Sequence, residues 1–154
     1  MTLQWTSTMI GKETRIFRGK LIVGLLKRNL WKDDAYGELD GYMVRFKTTG
    51  FWNRKTAILD IEGVKQLGHI EYNFWKTSAV ITYEDRSCNW AFDSWMRKSW
   101  KIVGGQDQAV YSKPSVWKNK GDIEVDNMSP VMVLAGLFVY GYFQKAAAAA
   151  VAST

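Results

Sequence analysis

The sequence predicts a mainly β fold, a closed antiparallel β-barrel of about ten to twelve strands around a buried hydrophobic C-terminal helix. Three observations predict it. Turn signals recur about every eight to twelve residues with no amphipathic helix between them. The segment 131–143 carries no charged side chain, and the chain contains only two prolines. With 154 residues and 47% hydrophobic content, the chain can bury a real core as a single domain, 1–154.

The strands are predicted between about residues 15 and 125, with a short edge strand around 3–6. Residues 42–47 alternate between apolar and polar side chains, which is typical of a strand with one buried face. The preceding Asp40-Gly41 pair favours positive φ and therefore a hairpin, and Gly24 indicates a bulge or a close backbone approach. The other predicted strands are 15–18, 21–26, 35–39, 57–60, 64–72, 79–83, 89–95, 100–103, 108–111, 116–118 and 122–125.

The C-terminal helix is predicted at about residues 129–148. Ser129 suits the N-cap, and Pro130 suits the first helical position, because the N–H that proline lacks would have no partner there. The apolar segment spans roughly 20 Å, less than the ~30 Å core of a bilayer, which favours burial in protein. If the alanine-rich residues 146–152 continue the helix, it reaches spanning length. A tail-anchored membrane protein is therefore an alternative.

A helix that is apolar around its whole circumference would expose half of its surface on an outer face of the sheet. A barrel closed around the helix buries all of it. Gly136 and Gly141 would then allow the helix backbone to approach the barrel wall closely. A second alternative is a lipocalin-like carrier, in which the helix lies outside and the cavity holds an apolar ligand.

One local pattern adds a resemblance to this fold prediction. The residues that carry it are Ile58, Leu59, Asp60, Glu62, Gly63, Leu67, Gly68 and Ile70. Together with the many strands and the terminal helix, this pattern resembles the tubby C-terminal-like superfamily, in particular the LURP-one-related proteins and the phospholipid scramblases. The resemblance covers about residues 15–144. It implies a barrel threaded by the helix and roles in phosphoinositide or membrane binding and in protein interaction. No site residue of the family can be placed on this chain.

The sequence contains no readable catalytic, metal or cofactor site. The sole histidine, His69, shares a strand face with Glu71, but no nucleophile is brought near it. The single cysteine, Cys88, has no identifiable cationic partner that would activate it. One histidine and one cysteine cannot build the usual zinc sites, and Gly104-Gly105 lacks the motif of a phosphate-binding loop. We therefore expect a protein that is not an enzyme and needs no metal or cofactor.

Basic and aromatic residues carry the functional prediction. The net charge is +6, and tryptophan stands close to lysine or arginine in three predicted loops, 51–55, 95–101 and 117–120. Indole rings suit the headgroup depth of a membrane and cations suit its phosphates, although the same chemistry can bind single-stranded nucleic acid or serve solubility alone. We expect a non-catalytic binding or scaffold protein that contacts anionic lipid or membrane surfaces, or else a protein partner, with nucleic acid disfavoured. The candidate lipid-contact residues are Arg54, Lys55, Arg97, Lys98 and Lys101.

The cellular compartment is predicted from the cysteine count and from the N-terminal residues. A single cysteine excludes a disulfide within the chain, and the first residues lack the charged-then-apolar layout of a signal peptide. We expect a cytoplasmic protein that is peripheral to a membrane if the lipid prediction holds.

Overall fold

The structure, a computed structural model, describes residues 1–8, 12–29, 34–50 and 53–153. Within them the chain forms a closed barrel of twelve antiparallel strands and one helix, which confirms the predicted fold class. The strands follow one another around the barrel in chain order, and β1 pairs with β12 to close it. The elements are β1 (Thr2–Ser7), β2 (Glu13–Arg18), β3 (Leu21–Asn29), β4 (Asp34–Leu39), β5 (Tyr42–Thr49), β6 (Lys55–Asp60), β7 (Gln66–Asn73), β8 (Ser78–Tyr83), β9 (Arg86–Phe92), β10 (Ser99–Gly104), β11 (Asp107–Ser112), β12 (Lys120–Asp126) and α1 (Pro130–Ala152).

Two predictions about backbone geometry are confirmed. Asp40 and Gly41 have φ of 50° and 85° and join β4 to β5 as a two-residue hairpin. The pairing of β2 with β3 shifts register between Ile16 and Phe17, opposite Gly24, which is the bulge that this glycine indicates. Local turn chemistry therefore fixes these positions.

Two strand predictions are wrong. Residues 116–118 form a turn between β11 and β12, because Ser115 accepts backbone hydrogen bonds from Trp117 and Lys118 and bends the chain there. Residues 3–6 lie in β1, which pairs with β2 on one side and β12 on the other and so is not an edge. Closing the barrel removes every free edge.

The helix α1 lies inside the barrel and begins as predicted. The Ser129 hydroxyl caps it by accepting a hydrogen bond from the Met132 backbone N–H, and Pro130 is its first residue. Every residue in 131–140 is buried, including those on opposite faces of the helix. Such burial on all sides requires wall contacts around the whole circumference.

Aromatic side chains of the wall supply much of that contact. Phe46 of β5 stacks on Phe138 with ring centroids 4.7 Å apart, and Trp100 of β10 stacks on Tyr140 at 3.8 Å. These two strands stand on different sides of the closed sheet. Large rings are suited to the space between a twelve-stranded wall and a single helix, since each buries a large apolar area.

Three wall side chains also donate hydrogen bonds to backbone carbonyl oxygens of α1. All three donors belong to strands and reach across the packed interior. The pairs are Trp90 Nε1 with Gly136 O (3.0 Å), Tyr111 Oη with Val133 O (2.8 Å) and Arg28 Nη2 with Phe138 O (2.6 Å).

The two helix glycines make this close approach possible. A Cβ atom at Gly136 would overlap the Tyr111 hydroxyl and Ile102, and one at Gly141 would overlap the Arg28 guanidinium. Both positions therefore confirm the predicted close contact with the wall. The helix tolerates the weak helix propensity of glycine because burial offsets it.

By length and composition, α1 could cross a membrane, and it is the one such helix among the described residues. Of its 18 consecutive residues with the highest mean hydropathy, 67% are buried. It also occupies the interior that a lipocalin-like carrier would keep for a ligand. Beyond Phe143 the helix is mostly exposed.

A bulky side chain at Gly136 is expected to destabilise the fold. We expect Gly136→Val to lower the free energy of unfolding by about 2–3 kcal/mol, because the added atoms meet Tyr111 and Ile102 in a packed interior. Denaturant unfolding measures this loss. The matched control, Ala148→Val in the exposed last turns, should change stability by less than about 0.7 kcal/mol. Equal stability of the two variants would contradict the close packing.

Removing α1 is expected to abolish folding altogether. A chain that ends at Asn127 would leave a twelve-stranded barrel with an empty apolar interior, so we expect no cooperative thermal transition. Circular dichroism on heating tests this. A cooperative melt of the truncated chain would show that the barrel stands without its helix, as a tail-anchored protein requires.

Candidate functional site

The two ends of the barrel are built from different connections. Because neighbouring strands are antiparallel, every connection that follows an odd-numbered strand lies at one end, and every connection that follows an even-numbered strand lies at the other. The helix enters the barrel after β12 and runs back through it, so we call these the exit end and the entry end, respectively. Entry-end hairpins are mostly two residues long, whereas exit-end connections have four to seven residues.

The described connections of the two ends carry opposite net charge. Those of the exit end hold seven cationic side chains and one carboxylate, Asp93, whereas those of the entry end hold two cations and four carboxylates. The exit-end cations are Lys12, Arg54, Lys76, Arg97, Lys98, Lys113 and Lys118. The entry-end carboxylates are Asp40, Glu62, Glu84 and Asp85. The barrel is therefore electrically polarised along its axis.

Three tryptophans of the exit end are almost fully exposed. They are Trp75, Trp95 and Trp117, with 99%, 91% and 90% of their surface accessible, and each belongs to a different connection. We call these three residues the tryptophan rim. The sequence places two more, Trp31 and Trp52, between β3 and β4 and between β5 and β6, outside the described residues. The remaining tryptophans of the chain are buried.

Short polar side chains hold the loops that carry the tryptophan rim. In each loop an Asn or Ser oxygen accepts a hydrogen bond from a nearby backbone N–H and so fixes a tight turn. The pairs are Asn73 Oδ1 with Lys76 N (3.1 Å), Ser94 Oγ with Lys98 N (3.2 Å) and Ser115 Oγ with Trp117 N (3.2 Å).

All five predicted lipid-contact residues lie at or beside the exit end, but two of them are already paired. Lys55 Nζ lies 3.6 Å from a Glu71 carboxylate oxygen, and Lys101 Nζ lies 3.3 Å from one of Asp93. Both stand on the outer faces of their strands. Their charges are therefore partly neutralised within the protein.

The other three predicted residues differ in exposure. The Arg54 guanidinium lies 5.9 Å over the Tyr142 ring, so it packs toward the helix. Arg97 is exposed and lies 5.0 Å over the Phe92 ring, while Lys98 is half-buried. Arg97 is thus the predicted cation that is best placed for an external ligand.

The sequence analysis missed Trp75 and Lys76. The sequence contains a pattern that indicates them. Phe74-Trp75-Lys76 has two aromatic residues followed by a basic one, as the segment 51–55 does. Reading all the connections between strands side by side would have found it.

Aromatic rings of α1 close the barrel beneath the exit end. Tyr142 stacks on Tyr72 at 4.2 Å, and Tyr140 stacks on Trp100. Burial raises the pKa of Tyr72 far above its ordinary value and raises the pKa of Tyr140 to about 12. Lys113 Nζ donates a hydrogen bond to the Tyr140 hydroxyl at 3.1 Å, and burial lowers the pKa of this lysine. Among the described residues, rings of α1 and the wall therefore fill the interior beneath the exit end.

The two side chains with catalytic chemistry lie apart from each other. His69 stands on the outer wall with its Nε2 3.8 Å from a Glu71 carboxylate oxygen, which confirms that the two share a face. Cys88 is buried against Gly104, and burial raises the pKa of its thiol, which disfavours the reactive thiolate. In the part of the chain that the structure describes, no group of three or more His, Cys, Asp or Glu side chains could hold a metal.

Fold and site together define a helix-filled β-barrel with one cationic, tryptophan-bearing end. No protein-family model, curated protein or solved structure matches the chain. The resemblance to the tubby C-terminal-like superfamily therefore stays a prediction.

The buried tyrosines give an expected loss of stability at alkaline pH. Their folded pKa values lie above the ordinary value of 10, so they favour the folded state fully below pH 10, and this contribution is lost as the pH rises through the folded values. We expect unfolding to begin between pH 10 and about 12, with tyrosinate absorbance and loss of circular dichroism occurring together.

Two results bear on this prediction. Tyr140→Phe should make stability less dependent on pH in that range, since one ionising group is removed. Appearance of tyrosinate from most tyrosines while the circular dichroism stays native would contradict the burial of Tyr72 and Tyr140.

Proposed function

We propose that the protein is a non-catalytic binding protein that attaches peripherally to anionic membrane surfaces through the exit end of its barrel. The single observation that carries this proposal is the tryptophan rim, three almost fully exposed indole rings at the one end whose connections have net positive charge. The predicted residues Arg54, Arg97 and Lys98 belong to that end.

Exposed tryptophan at this density supports a surface made for contact. Soluble monomers rarely expose large apolar patches without a partner. At about 25 cal/mol per Å², burying about 100 Å² of one tryptophan side chain contributes about 2.5 kcal/mol. Indole combines an apolar ring with an N–H donor and so is favoured at the headgroup level of a bilayer.

The charges support an end-on orientation. Each lysine or arginine near an anionic leaflet contributes about 1 kcal/mol of attraction, and the attraction falls off within a Debye length. Four exposed cations, Lys12, Lys76, Arg97 and Lys118, lie in the described exit-end connections, while the described entry-end connections are net negative and would be repelled. The same field therefore turns the tryptophan rim toward the membrane.

The outer wall of the barrel supports contact by the end rather than by the side. Exposed outward side chains of its strands include Arg15, Arg45, Lys47 and Glu71. A wall that spans a bilayer needs an outward apolar band, and a cation at mid-membrane costs about 2–4 kcal/mol. Within the described residues, the almost fully exposed tryptophans all lie at the exit end, together with cations.

Vesicle co-sedimentation tests the proposal with a matched control at the other end. We expect the unmodified chain to bind vesicles containing phosphatidylserine, and Trp75→Ser, Trp95→Ser and Trp117→Ser together to weaken binding at least about tenfold. The control replaces three exposed apolar residues of the entry end by Leu21→Ser, Ile22→Ser and Val64→Ser and should bind like the unmodified chain.

A second variant separates charge from insertion. Lys76→Glu, Arg97→Glu and Lys118→Glu together should remove most of the binding and most of its dependence on salt. Equal binding to neutral phosphatidylcholine vesicles, or equal loss in the entry-end control, would contradict the proposal. Absence of vesicle binding by the unmodified chain would turn the tryptophan rim into a candidate contact for a protein partner.

A further inference from the structure

A groove of about 710 Å³ lies over the outer faces of β3, β4, β5 and β6. No residue of the tryptophan rim lines it. Its outward charged side chains are four cations, Lys12, Lys27, Arg45 and Lys47, and two carboxylates, Asp34 and Glu62, so the groove is net positive. Arg28 also borders the groove, but its guanidinium points into the barrel toward the Phe138 carbonyl oxygen.

Strand pairing explains why these side chains stand together. Lys27 lies opposite Tyr36, and Tyr36 lies opposite Arg45, so the ring stands between two cations in one row across three strands. In the next row Asp34 lies opposite Lys47. Directly opposed outward side chains are about 5 Å apart at their Cβ atoms, which lets one small ligand contact several of them.

The four outward cations of the groove form no ion pair within the described residues. In the described residues no carboxylate lies within ion-pair distance of the side chains of Lys12, Lys27, Arg45 or Lys47, whereas Lys55 on the same sheet is paired with Glu71. Like charges held this close repel one another, and a bound anion would relieve that repulsion.

Tyr36 adds an aromatic surface at a fixed position. It is half-buried, and its hydroxyl donates a hydrogen bond to a Glu38 carboxylate oxygen at 3.0 Å. A ring held in this way loses little freedom when another ring stacks on it. The groove thus has a place for a planar ring beside places for negative charge.

We propose that this groove binds a small soluble ligand that joins a planar ring to a chain of phosphates, of the nucleoside di- or triphosphate class. The ring stacks on Tyr36, and the phosphates contact Arg45, Lys47 and Lys27. Arginine binds phosphate oxygens in pairs through its planar fork, and lysine serves as a point charge. The groove volume falls within the range of small-molecule sites. This inference does not depend on membrane binding and stands if that proposal fails.

Titration calorimetry without vesicles tests it, with ATP and inorganic tripolyphosphate as probes. We expect ATP to bind, and Arg45→Glu with Lys47→Glu to weaken binding at least about tenfold. The control Lys20→Glu with Lys65→Glu makes the same change of charge at the entry end and should weaken ATP binding by less than about twofold. All these side chains are exposed, and unchanged thermal melting will show that the fold is kept.

Tyr36→Ala tests the ring contact separately. It should weaken ATP binding about tenfold and leave tripolyphosphate binding unchanged. Several outcomes would overturn the proposal. They are no ATP binding at about 1 mM, an equal loss of ATP binding in the groove and control variants, or an equal weakening of ATP and tripolyphosphate binding by Tyr36→Ala.

A last comparison identifies the source of the phosphate. Vesicles carrying phosphatidic acid present the same phosphate chemistry on a lipid. Binding that needs the groove cations but occurs only with these vesicles would replace the soluble ligand by a headgroup and overturn the proposal. The variant lacking the three rim tryptophans should still bind ATP, which keeps the two sites distinguishable.

Discussion

The packing of α1 against the inner wall is the interaction on which the rest of the structure depends. Barrels of about eight strands are filled by their own side chains, whereas twelve strands enclose more space than side chains alone can fill. Here one helix, buried on all sides over 131–140, fills that space. The wall reaches it with aromatic rings and with hydrogen bonds from three side chains to its carbonyl oxygens. Such bonds require close approach, and Gly136 and Gly141 supply it.

A helix that threads a barrel also makes the two ends different. It enters beside short hairpins and leaves among the longer connections. Those longer connections carry the tryptophan rim and most of the cations of the described connections. The stacked rings of Tyr140 and Tyr142 lie just beneath. The packed core therefore supports the exit end, the surface that we propose for membrane contact.

Features that depend on a few neighbouring residues could be predicted from the sequence, whereas features that depend on the closed sheet could not. Alternation, the Asp40-Gly41 turn, the Gly24 bulge and the Ser129 cap act over a few residues, so their outcomes were predictable. Which end a connection occupies depends on the number of strands before it. If 116–118 formed a strand, as the sequence predicted, β12 would run in the opposite direction and the helix would leave the barrel at the other end. The shared location of Trp75, Trp95 and Trp117 was therefore not predictable, and neither was the pairing of Lys55 and Lys101 with carboxylates of other segments.

Charge and apolar surface act at different distances from a membrane. The field of the exit-end cations reaches about one Debye length, roughly 8 Å at physiological salt, and so can orient the barrel before contact. Indole rings act only after water is removed between them and the headgroups. Without cations, the tryptophan rim would not be turned toward the membrane before contact. Without the tryptophan rim, the attraction of the cations would be lost at high salt. The presence of both on one end, with carboxylates on the described connections of the other, supports the proposed membrane contact over a surface that is basic only for solubility.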